Sequence, residues 1–235
     1  MTTLVAGATG QTGKHLVDQL LEQGENVKAI VRPGSEIPGH WKNNERIEVV
    51  KLELTQVTAD ELIGYLVGCG AVASCLGHRT IYGRPRHLVS EAVRLLCEVV
   101  LKNSPTQPVK FVLMNTSGYH NPDTDPPWSF LQKLIVRLLR VLLPPHPDNE
   151  KAAEYLKKQV GKQNPHIRWV VVRPDNLTKK EEITPYTVHP APTQDPFFNP
   201  GKSSRINVAH FMATLITDES TWDKWESRMP VVYNR

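Results

Sequence analysis

Two groups of residues have types and spacings that suit chemistry. Gly7, Gly10 and Gly13 sit in LVAGATGQTGKHL, after a strand-like run and at the head of a helix-like one. Lacking a Cβ, Gly7 permits a tight turn, Gly10 lets the backbone approach a pyrophosphate, and Gly13 lets the helix pack against the sheet. Free N–H groups at the helix start then receive the phosphate charge. The second group is Lys151 and Tyr155 in HPDNEKAAEYLKKQ, an amine and a phenol one helical turn apart, both types able to steer or supply a proton.

A dinucleotide site sorts its cofactors at the end of the second strand, where a carboxylate takes the ribose 2′-hydroxyl of NAD. Here that strand reads VKAIVRPGS and ends in Arg32, with Ser35 nearby and no carboxylate at the strand end. A guanidinium grips a 2′-phosphate through paired hydrogen bonds, and Thr12 can add a hydroxyl on the same side. The cofactor expected is therefore NADP(H).

The elements that must hold these residues alternate. Strand-like apolar runs occupy residues 3–6, 27–31, 47–52, 71–76, 109–114 and 168–172, and amphipathic segments occupy 10–23, 58–67, 87–102, 129–142 and 148–162. Thr58 with Glu61 makes a capping box, Gly24 suits a helix end, and Asp148, after prolines, suits a helix start. Such alternation implies an α/β, Rossmann-like doubly wound and mainly parallel sheet, with helices on both faces. One domain over residues 1–235 is expected, in which 178–235 contribute a small C-terminal substrate-binding region: a proline-rich extended loop to residue 202, the helix RINVAHFMATLIT and the closing strand MPVVYN.

The 28 basic and 24 acidic residues, net +4, are spread along the chain, and no nucleic-acid motif accompanies them. A small-molecule substrate is expected rather than a nucleic acid. Cys69, Cys75 and Cys97 form no CxxC pair, so neither zinc nor a disulfide framework is indicated, and reduced buried thiols are expected. Met1 leads straight into a strand-like run, which suits a cytoplasmic protein. The apolar tract at 130–145 is interrupted by Lys133, Arg137 and Arg140, too charged for a membrane span. Their spacing puts the cations on one face and the leucines on another. A membrane-surface helix has this pattern, but a helix packed on its own domain is the commoner source. Oligomeric state is not legible.

The GATGxxG spacing resembles the atypical or extended branch of the short-chain dehydrogenase/reductases, nearest the NAD(P)-binding subgroup that includes flavin/biliverdin-IXβ-type reductases and NmrA-like proteins. The resemblance runs from Leu4 to the final strand. It implies cofactor contacts from Gly7, Thr9, Gly10, Gln11, Thr12 and Gly13. Glu53 and Leu54, in KLELT, stand where the family has Asp and an apolar residue beside the adenine. Leu76 and Gly77, in SCLGH, match the stretch that lines the cofactor through its backbone, and His78 and Arg79 then project toward the carboxyl edge of the sheet.

The same resemblance makes Ser117 the residue that faces the nicotinamide and polarises a substrate carbonyl, with Thr116 on its cofactor side. Pro174, in VVVRPDNLT, would bend the chain over the nicotinamide, although Asp175 replaces the family's glycine. Arg205 matches the residue that starts the helix after the substrate loop. Family members carry a tyrosine four residues before a lysine. Alignment on AAEYL places the lysine on Lys151, with Pro147 where the tyrosine belongs. Tyr155 lies on the other side of the lysine, about 6 Å farther along the helix at 1.5 Å per residue, and reads as a core-edge aromatic.

Ser117 and Lys151 are thus the candidate catalytic pair, and the acid is missing. Either the product takes its proton from water, as a flavin or conjugated tetrapyrrole can, or Tyr82, Tyr119, His120 or His146 donates it. The function expected is an NADPH-dependent reductase of a small conjugated or aromatic acceptor, such as a flavin, quinone or enone. The alternative is a non-catalytic NADPH-binding redox sensor of the NmrA-like type. The proline-rich loop, with Phe197 and Phe198, and the helix at 130–143 are the expected pocket walls.

Overall fold

A computed structural model describes residues 1–78, 80–83 and 85–235. Its main sheet has eight strands in the order β3-β2-β1-β4-β5-β6-β10-β8. They are β1 (Thr2–Ala6), β2 (Asn26–Val31), β3 (Ile47–Lys51), β4 (Ala71–Ser74), β5 (Val109–Met114), β6 (Ile167–Pro174), β8 (Tyr186–His189) and β10 (Val231–Asn234). All pair in parallel except β8, which closes the edge antiparallel to β10. Two short strands, β7 (Asn176–Thr178) and β9 (Lys202–Ser204), form a separate parallel pair.

Helices α1 (Gly13–Glu22), α6 (Arg205–Thr217) and α7 (Glu219–Trp225) cover one face, and α2 (Ala59–Leu66), α3 (Leu88–Asn103) and α5 (Pro145–Tyr155) the other. Strand side chains alternate faces, so Leu4 and Ala6 enter the core under α2, α3 and α5 while Val5 enters the core under α1 and α6. The same split separates Trp169 and Val171 from Val170 and Val172 on β6. A strand buried on both faces must be apolar throughout, which is why these runs read as continuous rather than alternating. Strand order reverses between β1 and β4, and that reversal opens a crevice at their carboxyl ends.

The Thr58–Glu61 capping box is present at α2, and Gly24 ends α1 at φ +82°. Other expectations need correction. The stretch 178–202 is not a bare loop, since β8 and the start of β9 lie within it. Asp148 does not start its own helix. Pro145 does, with its missing N–H at a position where none is needed, and Asp148 is buried in the first turn facing α3. The helix α4 (Phe130–Leu142), begun by a Ser129–Gln132 capping box, does not bury its leucines: Val136 is its one buried residue. None of the helices described is long and apolar enough to cross a membrane.

Candidate functional site

The glycine-rich turn is built by steric exclusion. Gly7 has φ +75°, and a Cβ on it would lie 3.0 Å from the backbone of Cys75 at the end of β4. A Cβ on Gly10 would sit 3.0 Å from the Gly7 carbonyl oxygen, and one on Gly13 would overlap the same oxygen at 2.1 Å. The Gly10 N–H donates to that oxygen at 2.9 Å, so one carbonyl anchors the turn while two glycines crowd it. No side chain caps the start of α1. Among the described residues, the amides of Gln11 and Thr12 find no partner within the protein. A tight cradle ending in unsatisfied amides fits a dinucleotide pyrophosphate.

A cavity of about 1460 Å³ opens over this turn. Gly7, Thr9, Gly10, Gln11 and Thr12 form its floor, with Arg32, Glu53, Leu54, Leu76 and Gly77 around them. Lys14, Ser35 and Glu36 also line it. Lys14 brings a second cation into the wall that holds Arg32, while Glu36 is a carboxylate four residues beyond the strand-end position where none was expected. Leu88, Met114, Leu177 and Arg205 complete the far side.

Four of the expected cofactor residues do not line the cavity, and each has a physical reason. Gly13 is spent on the contact with Gly7. Pro174 is buried, its carbonyl accepting the Ser117 N–H at 2.9 Å. The Thr116 hydroxyl turns back to accept the Gly118 N–H at 3.2 Å. Lys151 sits on the exposed face of α5. Neither member of the expected catalytic pair lines the cavity: Ser117 is buried, near an Asp175 carboxyl that burial pushes up and the Gly201 N–H, donating to it at 3.0 Å, partly holds down. The expected substrate walls, α4 with Phe197 and Phe198, also lie off this cavity.

The candidate acids fare likewise. Tyr119 is buried, donates to Glu154, and is held well above the usual phenol range by burial and that bond. His120 packs against Trp128 with ring centroids 4.6 Å apart and planes tilted by 48°. His146 lies beside Gly118 and Glu150 rather than in the cavity. Tyr82 is 75% exposed. Tyr155 packs on the core beside α3, its phenol pushed up by burial. Arg173 is fully buried against Asp125 and the carbonyls of Tyr119 and Met229, so it fastens the end of β6 to the loop after β5. All three cysteines are free and buried, with the Cys75 thiol pushed up to about 12 by burial.

One group in the wall was under-read. His78, one residue past Gly77, lines the cavity and binds buried Asp148 through Nε2 at 2.8 Å. Asp148 also accepts the N–H groups of Val89 at 2.8 Å and Ser90 at 3.1 Å, capping α3 from a different helix. A carboxylate accepts only, so Nε2 carries the hydrogen and Nδ1 is the remaining nitrogen. In the sequence His78 is a lone loop histidine, and its partner lies 70 residues away in a segment that looks like its own helix cap. Arg79, expected beside it, lies outside the described residues.

A family model described as NAD(P)H-binding matches residues 7–219. The chain belongs to that family. It is an NAD(P)H-binding protein, as its GATGxxG turn implied. A 52-residue stretch is 44% identical to an uncharacterised chloroplastic protein of Arabidopsis thaliana, and the match covers 22% of this chain and 19% of that relative. A short-chain dehydrogenase/reductase of Veillonella parvula, solved in complex with NADP, superposes with TM-score 0.69 at 17% identity over 99% of this chain and 94% of its own. An anaerobilin reductase from Escherichia coli O157:H7 does so with TM-score 0.69 at 13% identity, over 100% and 97%. At these identities the two structures speak for the fold.

Proposed function

We propose that this family member is an NADPH-dependent reductase of a small conjugated or aromatic acceptor such as a flavin, quinone or enone. The observation that carries the reading is the His78–Asp148 pair in the cavity wall, in a chain whose usual tyrosine position holds Pro147. NADPH, when bound, supplies the hydride. Arg32 and Lys14 would hold its 2′-phosphate, and the Gln11 and Thr12 amides would hold the pyrophosphate. Asp148 keeps the His78 ring oriented through Nε2, leaving Nδ1 as the nitrogen that would pass a proton from solvent to the reduced acceptor. Residues 178–235 border the acceptor through Arg205.

NADPH oxidation followed by absorbance against flavins, quinones and conjugated carbonyls tests the reading. Turnover is expected with at least one acceptor, and His78→Gln should lower kcat by about 10²–10⁴-fold, the usual worth of general acid catalysis, with NADPH affinity kept. Full turnover in His78→Gln removes the histidine from the mechanism. No turnover with any acceptor, alongside micromolar NADPH binding, favours a redox sensor instead. The burial of Ser117 and the exposure of Lys151 are the observations on that side.

A further inference from the structure

Helix α4 presents to solvent the side chains a helix normally hides. Phe130, Leu131, Leu134, Leu138, Val141 and Leu142 are exposed by between 48% and 85%. At 100° per residue they fall within an arc of about 120°. Isolated exposed leucines need no explanation, but a contiguous apolar stripe on one helix marks an interaction surface. The helix is fastened from its other side, by buried Val136, by a 2.8 Å hydrogen bond from Gln132 to Asp195, and by Arg140 on Glu150.

Charge tells what lies against the stripe. Lys133 and Arg137 run along one edge of it, exposed and without an ion pair among the described residues. The helix FLQKLIVRLLRVL contains no acidic residue. A second copy of α4 therefore offers nothing to neutralise the cations, and an antiparallel two-fold pairing would set both cationic rows on the same edge. An anionic lipid surface meets both demands at once, taking the apolar stripe among its acyl chains and the cations among its headgroups. Exposed Phe198, on the loop that Asp195 ties to the start of α4, adds a further aromatic at that end.

We propose that α4 lies in the interfacial plane of an anionic bilayer and seats the protein on it, without spanning it. A basic residue near such a surface contributes about fivefold to partitioning. Lys133 and Arg137 together should give about 30-fold preference for anionic over neutral vesicles.

Flotation of the purified protein with phosphatidylcholine vesicles, with and without a one-third share of phosphatidylglycerol, tests this. Binding to the anionic vesicles, reversed by salt, is expected. Lys133→Glu with Arg137→Glu should abolish the anionic preference, and Leu134→Ser with Leu138→Ser should abolish binding. Both double variants alter only exposed side chains, and NADPH affinity should stay unchanged as the control for folding. Absence of binding to either vesicle overturns the proposal, as does vesicle binding that neither double variant changes. Sedimentation velocity showing a dimer that Leu134→Ser with Leu138→Ser dissolves, with no vesicle binding, assigns the stripe to a second copy and also overturns it.

Discussion

The substitution of glycine by alanine should act with opposite sign at two helical positions of this chain. At Gly64, inside α2, a new Cβ meets no atom within 4 Å, so Gly64→Ala gains only the relief of backbone entropy, about 0.5–1 kcal/mol. At Gly13, the first residue of α1, the Cβ falls 2.1 Å from the Gly7 carbonyl oxygen, 3.0 Å from its carbon and 3.1 Å from the Ala8 Cα. All three neighbours are backbone, so no rotamer can yield, and the helix or the turn must shift by about 1 Å. Overpacking of this kind costs about 1–3 kcal/mol, while the propensity gain at a helix's first residue is small. Gly13→Ala should therefore destabilise by about 2 kcal/mol, giving a spread of about 3 kcal/mol between the variants. For a chain of this size each kcal/mol moves Tm by about 2–4 °C. Urea unfolding gives both free energies, and an NADPH titration should show Gly13→Ala losing affinity because the displaced turn no longer presents the Gln11 and Thr12 amides. Stability of Gly13→Ala within about 0.5 kcal/mol of the parent, the scatter of ordinary surface changes, together with unchanged NADPH affinity, would refute the steric account of the turn.

Arg32→Ala should weaken NADPH by about 10–100-fold, as loss of a charge-assisted pair does, and NADH far less; equal losses in competition titrations would mean that the 2′-phosphate sits elsewhere, with Glu36 then the residue to test. Tyr155→Phe should leave kcat and NADPH affinity unchanged and Lys151→Ala should leave NADPH affinity within about twofold, since neither side chain lines the cavity; calorimetric titration and steady-state rates check both, and a dead Tyr155→Phe would restore the reversed dyad. Glu150 is pushed up by burial, yet the neighbouring His146 ring and the two hydrogen bonds that Arg140 donates to it win and hold it at about 2, below its ordinary 4.5. The folded state thus gains stability from this group above pH 4.5 and loses it as pH falls through about 2. Because Arg140 is half exposed, the gain at neutral pH is about 1–2 kcal/mol rather than the full linkage value. Thermal melts across that acid window should be less pH-dependent in Glu150→Gln; parallel curves would count against the pairing.

What the sequence revealed follows from locality. The glycine turn, the strands buried on both faces, the Thr58–Glu61 box and the extent of α6 all depend on residues close together in the chain, so spacing alone betrays them. The residues around the cavity were legible as far as Gly77 for the same reason, each lying at the carboxyl end of a recognisable strand. Lys151 lies off the cavity because its helix begins at Pro145 and leaves that side chain exposed, which no local pattern reports. Asp148 was misread because a cap serving another helix looks like a cap serving its own. The α4 leucines were misread because amphipathicity says that a helix has an apolar face, not which way that face looks.

The Asp148 carboxylate also pins both ends of a loop. It holds His78 at the exit of β4 and Val89 with Ser90 at the entry of α3, while Thr80, Gly83 and Pro85 between them form part of the cavity wall. Loop-closure entropy rises only with the logarithm of length, about 0.6 kcal/mol for each doubling. The segment between the two pinned ends can therefore lengthen or change its residues at little cost while His78 stays in register. The wall of the cavity between β4 and α3 can thus change its length and lining residues while the His78 ring stays where it is.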